Sequence, residues 1–90
     1  MTAPRRAHTR IKICCIASLD EAEMAIRHGA SALGLVSEMP SGPGVISEEA
    51  IAAIAARVPA GIATFLLTSR VDPEAIIAQQ RRCRVSTIQL

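Results

Sequence analysis

The chain has 90 residues, 50% of them hydrophobic, a formal net charge of +2 and one aromatic residue, Phe65. That size suits one small domain, and the apolar content excludes a disordered, highly charged chain. Without aromatic stacking faces or a clustered basic surface there is no footprint for a nucleic-acid partner.

Residues 1–10 carry Arg5, Arg6 and Arg10 with no long apolar segment behind them. They read as a flexible polar arm, not as a signal peptide or membrane anchor, so no membrane partner is expected. Residues 11–16 form an apolar, β-branched run, a predicted strand that ends in adjacent Cys14 and Cys15. A helix start follows. Ser18 with Glu21 three residues on is a capping-box signature, and Asp20 and Glu21 suit the positive end of the helix dipole. Leu19, Ala22, Ala25 and Ile26 recur at helical spacing, with Gly29 as the stop. Residues 32–36 read as a second buried strand, and Gly34 inside it points to close approach by a neighbour or ligand.

Residues 39–44 (Met-Pro-Ser-Gly-Pro-Gly) form a loop. Ser47 caps the next predicted helix, whose stripe is Ile51, Ile54, Ala55 and Val58, ended by Pro59 and Gly61. Residues 62–67 make a third strand, and Asp72-Pro73-Glu74 opens a third helix. Ile76 and Ile77 are expected to face the core, with Arg81 and Arg82 at the helix's C-terminal end. Residues 85–90 begin a fourth strand. Strict alternation of strand and helix predicts an α/β fold of parallel βα units in sequential order, joined by right-handed crossovers, with the helices on one outer face. The aliphatic core composition suits such a sheet.

The chemistry concentrates at the end of the first strand, where α/β folds keep their active sites. Cys14 is a candidate base, and Lys12, two residues earlier on the same strand face, would favour its thiolate. The alternative is an inert core thiol. Cys14 and Cys15 are expected on opposite strand faces, so no bridge joins them. Cys83 adds no CxxC spacing, so no metal site is expected and the compartment reads as reducing. Cys15 itself is expected to pack on the first helix. Ser41, Gly42 and Gly44 offer backbone donors for a phosphate ahead of the Ser47 helix, or form a plain flexible connection. Asp20 and Asp72 are helix caps, His8 has no partner spacing, and His28 complements a helix C-terminus.

The run Lys12-Ile13-Cys14-Cys15-Ile16-Ala17 resembles the opening of the phosphoribosylanthranilate isomerase family, which usually reads Lys-Ile-Cys-Gly-Ile-Thr before a helix. Cys15 stands at the family's Gly and Ala17 at its Thr. The resemblance continues to Ser86-Thr87-Ile88-Gln89-Leu90, similar to the family's fourth strand. It implies a partial (βα)8 TIM barrel, about the first half, over residues 11–90. It further implies a cytoplasmic enzyme of tryptophan biosynthesis that performs an Amadori isomerisation without cofactor or metal, with Cys14 as general base. Lys12, Gly44 and Gln89 fall at substrate-binding positions. Gly44 stands where the family places the arginine that holds the anthranilate carboxylate, and Val45 replaces its aromatic neighbour. The family's general acid and phosphate loops correspond to positions beyond Leu90. The expectation is therefore a chain that is inactive or altered in specificity at this length. Its partners are expected to be a small phosphorylated substrate and a homo-oligomer covering open sheet edges. The other reading is a non-catalytic half-barrel that binds a small phosphorylated ligand or serves as an assembly module.

Overall fold

A computed structural model describes residues 10–39 and 44–90. Four strands alternate with three helices in it: β1 (Lys12–Ile13), α1 (Leu19–Arg27), β2 (Ala32–Val36), α2 (Glu48–Arg57), β3 (Ala63–Leu67), α3 (Pro73–Cys83) and β4 (Thr87–Gln89). The strands pair in the order β1-β2-β3-β4, every pair parallel. This is the α/β arrangement that the alternation predicts. Of the expected polar arm, residues 1–9 lie outside the described residues, as do Ser41 and Gly42 of the expected phosphate loop.

Each helix begins where its cap satisfies an orphan N–H. Ser18 Oγ accepts from the Glu21 N–H at 3.1 Å, Ser47 Oγ from Ala50 at 3.1 Å, and an Asp72 carboxylate oxygen from Ala75 at 3.0 Å. Each such cap typically contributes about 1 kcal/mol. The Glu21 carboxylate completes the first cap by accepting from the Ala17 N–H at 2.8 Å, one residue ahead of the capping serine. At the other end of α1, Gly29 adopts φ +103°, the left-handed geometry that terminates a helix, and the His28 ring meets the Met24 carbonyl at 2.8 Å.

The helices share one face of the sheet. Leu33, Leu35 and Leu66 project from that face into a buried cluster with Ala22, Ile51, Ile54 and Cys83. One expectation fails here. Ile77 does not face the core; it is 51% exposed, and α3 instead buries Gln79 and Cys83, one turn apart. Adjacent helical residues are about 100° apart, so the stripe that turns Gln79 and Cys83 inward leaves Ile77 on the flank.

The two edge strands are shorter than their apolar runs. β1 spans two residues because Cys15 takes φ +61° and interrupts the extended backbone, although Ile16 N–H still donates to Gly34 O at 3.1 Å. Before β4, Ser86 and Thr64 cross-link through their side chains, with Thr64 N–H donating to Ser86 Oγ at 2.9 Å. Val85, just upstream, is buried in the helix-side core.

The register defines the opposite face. Lys12 lies beside Ala32, Gly34 beside Phe65 and then Thr87, and Val36 beside Leu67 and then Gln89. Residues in register share a face, so Lys12, Gly34, Phe65 and Gln89 stand away from the helices. No helix among the described residues covers this side.

Candidate active site

Lys12 and Gln89 sit on the two edge strands, yet the Lys12 ammonium donates to the Gln89 side-chain carbonyl. In a flat four-stranded sheet these strands would be about 14 Å apart. The contact therefore records a strongly curved sheet whose helix-free face is concave. The same ammonium lies 5.0 Å from the centroid of the Phe65 ring, within cation–π range.

Cys14 joins this group across β2. A Cβ built on Gly34 would lie 2.9 Å from Cys14 Sγ, 3.1 Å from Cys14 Cα and 3.3 Å from Lys12 Cε. Gly34 is thus the close approach its sequence position implies, and its bare backbone makes room for both side chains. Cys14 is exposed. Three of the four sequence-derived site residues, Lys12, Cys14 and Gln89, therefore gather on one open concave surface at the strand ends.

The fourth does not join them. Gly44 packs against Cys15, and a Cβ there would lie 2.8 Å from Cys15 Cβ and 3.1 Å from its Sγ. Gly44 has φ +78° and Cys15 φ +61°, so the connection after β1 and the connection after β2 meet at two left-handed residues. Cys15 thus meets the loop after β2, a neighbour beyond the first helix on which it is expected to pack. The left-handed backbone at Cys15 ends the extended alternation on which the opposite-face expectation for the two cysteines rests, and their sulfurs meet different glycines, Cys14 Sγ beside Gly34 and Cys15 Sγ beside Gly44. Partial burial, followed by the Cys14 thiol and its charge, pushes the Cys15 thiol above its ordinary range.

Sequence reasoning missed a polar cluster between α2 and α3. Gln79, 2% exposed, accepts from Thr68 Oγ1 at 2.7 Å and donates to Glu48 at 3.0 Å. Arg82 grips the Glu48 carboxylate through Nε at 2.8 Å and a terminal nitrogen at 3.1 Å, and Arg70 stands 3.7 Å away. The Arg82 hydrogen bond, aided by Gln79 and Arg70, holds the Glu48 carboxyl below the usual carboxylate range. No local signal announces it, since Glu48 on α2 lies 31 and 34 residues from its partners Gln79 and Arg82 on α3. Among the described residues no group of three His, Cys, Asp or Glu could hold a metal, and no helix is long and apolar enough to cross a membrane.

No family model matches the chain. Individual proteins do. N-(5'-phosphoribosyl)anthranilate isomerase from Geobacter sulfurreducens is 38% identical over 81 residues, 90% of this chain and 39% of that protein. The crystal structure of phosphoribosyl anthranilate isomerase from Thermotoga maritima superposes with a TM-score of 0.84 at 28% identity, over 92% of this chain and 40% of that one. A phosphoribosyl anthranilate isomerase solved in complex with reduced 1-(o-carboxyphenylamino)-1-deoxyribulose 5-phosphate gives the same TM-score and identity, over 92% of this chain and 42% of that one. The chain thus spans about 40% of the length of the proteins it matches. Over the stretch it spans, this chain is similar in sequence and in fold to the N-terminal part of the parallel βα barrel of phosphoribosylanthranilate isomerases.

Proposed function

We propose that the chain carries the base-bearing side of a phosphoribosylanthranilate isomerase site, with Cys14 as the general base of an Amadori rearrangement in cytoplasmic tryptophan biosynthesis. The observation that carries this is the exposed Cys14 thiol on the same concave face as Lys12 and Gln89. In that reaction the ribosyl ring opens to an iminium, the base removes the proton from C2′, and the enolamine tautomerises to the ketone. Cys14 Sγ takes that proton. The Lys12 ammonium, held by Gln89 and the Phe65 ring, draws the anionic, phosphorylated substrate to the thiol. The related protein solved with a reduced carboxyphenylamino-deoxyribulose 5-phosphate supports a ligand of this class. Residues 11–90 act as one partial barrel domain.

Two features lower the activity of the chain by itself. Gly44 offers no guanidinium, so a ring carboxylate lacks the bidentate clamp that arginine provides, and glycine cannot replace it. No acid faces Cys14 among the described residues that line the concave face. The sheet also leaves Ile11, Ile13 and Met24 exposed along β1 and α1, and Leu90 beyond β4, which favours a homo-oligomer that covers both edges. This exposure equally supports the assembly-module reading, in which the half-barrel binds a small phosphorylated ligand without turnover.

The loss of anthranilate-substrate fluorescence decides between them. The purified 90-residue chain is expected to show no turnover above background. Joined in frame to the remaining part of the Geobacter sulfurreducens relative, it is expected to turn over weakly, and Cys14→Ala to lower that rate about 10²- to 10⁴-fold. A folded chimera whose rate is unchanged by Cys14→Ala refutes the base assignment.

A further inference from the structure

Among the described residues the parallel sheet leaves one edge of β1 and one edge of β4 without a neighbouring strand. The two edges alternate in the same way. On β1, Lys12 stands on the concave face, while Ile11 and Ile13 stand on the helix side, 45% and 39% exposed. On β4, Thr87 and Gln89 stand on the concave face, and Ile88 and Leu90 alternate to the helix side. Leu90 is 86% exposed. Beside β1 lies an open hollow of about 450 Å³ whose walls include Ile11, Ile13, Ile16 and Met24.

The register determines what fits between these edges. Hydrogen-bond rows carry Lys12 to Ala32 and Ala63, and the offset that pairs Phe65 with Thr87 carries the row on to Val85. The Lys12 ammonium instead meets Phe65, two residues beyond Ala63, and Gln89, four beyond Val85. Side chains at one level of the curved sheet thus climb along successive strands, as tilted barrel strands require. An eight-stranded parallel barrel accumulates a shift of about eight residues in one circuit, so each of two identical four-stranded halves supplies about four. Continued past β4, that shift sets Gln89 beside Lys12 of a second copy, and Ile88 and Leu90 beside its Ile11 and Ile13. Polar residues meet on the concave face and apolar ones on the helix side. We infer that two copies of this chain close into one eight-stranded barrel about a two-fold axis, β4 of each running parallel to β1 of the other. Leu90 then enters the partner's hollow. Lys12 and Phe65 of both copies form one interior layer of four side chains from alternate strands. Both Cys14 thiols face the same enclosed interior, so the site is shared between copies. This inference rests on the homo-oligomer reading above and not on the base assignment of Cys14.

Sedimentation equilibrium of the purified chain at micromolar concentration is expected to give twice its 9.5 kDa mass, with no larger species. Cross-linking then locates the interface. Leu90, whose exposed side chain a single copy does not need for folding, is replaced by the photo-reactive p-benzoylphenylalanine. Irradiation of mixed unlabelled and isotope-labelled chains, followed by mass spectrometry, is expected to join light to heavy chains at Ile11, Ile13 or Met24. Leu90→Lys should weaken dimerisation at least about 10²-fold, since a leucine loses its cover at both junctions, with circular dichroism confirming that the variant is folded. A monomer overturns both this inference and the homo-oligomer reading. A dimer whose adducts from position 90 fall elsewhere, a dimer unmoved by Leu90→Lys, or an open-ended polymer keeps the homo-oligomer reading and overturns the closed barrel.

Discussion

The contact between Cys15 and Gly44 makes a prediction whose size follows from the coordinates. Gly44→Ala places a Cβ 2.8 Å from Cys15 Cβ and 3.2 Å from Cys15 Cα, well inside contact distance. The atoms met are a branch carbon and backbone, not the far end of a flexible side chain, so a loop must move. Overpacking of this kind costs about 1–3 kcal/mol. Gly44 also has φ +78°, where an L side chain costs a further ~1–2 kcal/mol. The sum is about 2–5 kcal/mol, enough to shift the urea midpoint of a small domain by ~1 M or more. In a Cys15→Gly background the contacts with Cβ and Sγ disappear and the 3.2 Å approach to Cα remains, so most of the steric part is relieved and a loss of about 1–2 kcal/mol, chiefly the backbone part, is left. Cys15→Gly alone is expected to be near neutral, because relief of its own φ +61° strain offsets the lost thiol packing. The assay is a double-mutant cycle of urea melts followed by circular dichroism, with expected coupling of about 1–3 kcal/mol. If Gly44→Ala costs the same in both backgrounds to within ~0.5 kcal/mol, the steric reasoning is refuted. The cycle also governs any attempt to restore a carboxylate clamp. Gly44→Arg in an active, extended chain should lower KM only together with Cys15→Gly, and should move KM more than kcat.

Gly34→Ala should lower stability by about 1–2 kcal/mol and alter the alkylation rate of Cys14, since the new methyl displaces Sγ and crowds Cys14 Cα; an unchanged melting temperature and rate would sink this. Iodoacetamide at pH 7 should label Cys14 well ahead of Cys83, because Cys83 is fully buried and burial pushes its thiol up to about 11. Such a thiol is only ~0.01% ionised at pH 7. Equal native-state rates would contradict the core placement of Cys83. Glu48 predicts acid sensitivity. Its folded pKa lies below the unfolded value, so its contribution is present above the ordinary carboxylate range and is lost as pH falls through the folded pKa. Urea midpoints measured from pH 7 down to pH 3 should therefore fall further for the parent than for Glu48→Gln, and parallel profiles would remove the Arg82 contact from the stability account.

The order of elements was legible in the residues because each is specified locally. Aliphatic runs define the strands, and Ser18, Ser47 and Asp72 cap the three helices through hydrogen bonds spanning three residues. The candidate base was legible too, since a thiol at a strand end preceding a capped helix can occupy few other places in a βα unit. The strand face shared by Lys12 and Cys14 follows from the two-residue period alone. What tertiary structure decided lies between segments distant in the chain. Curvature of the sheet carries Lys12 to Gln89, and the burial stripe of α3 selects Gln79 over Ile77. The left-handed turn at Cys15 packs against Gly44 of the loop after β2, a contact between segments that no local rule brings together. Local rules act through bonds and nearest neighbours, whereas curvature, register and loop contact are settled only when all four strands are packed under the same three helices.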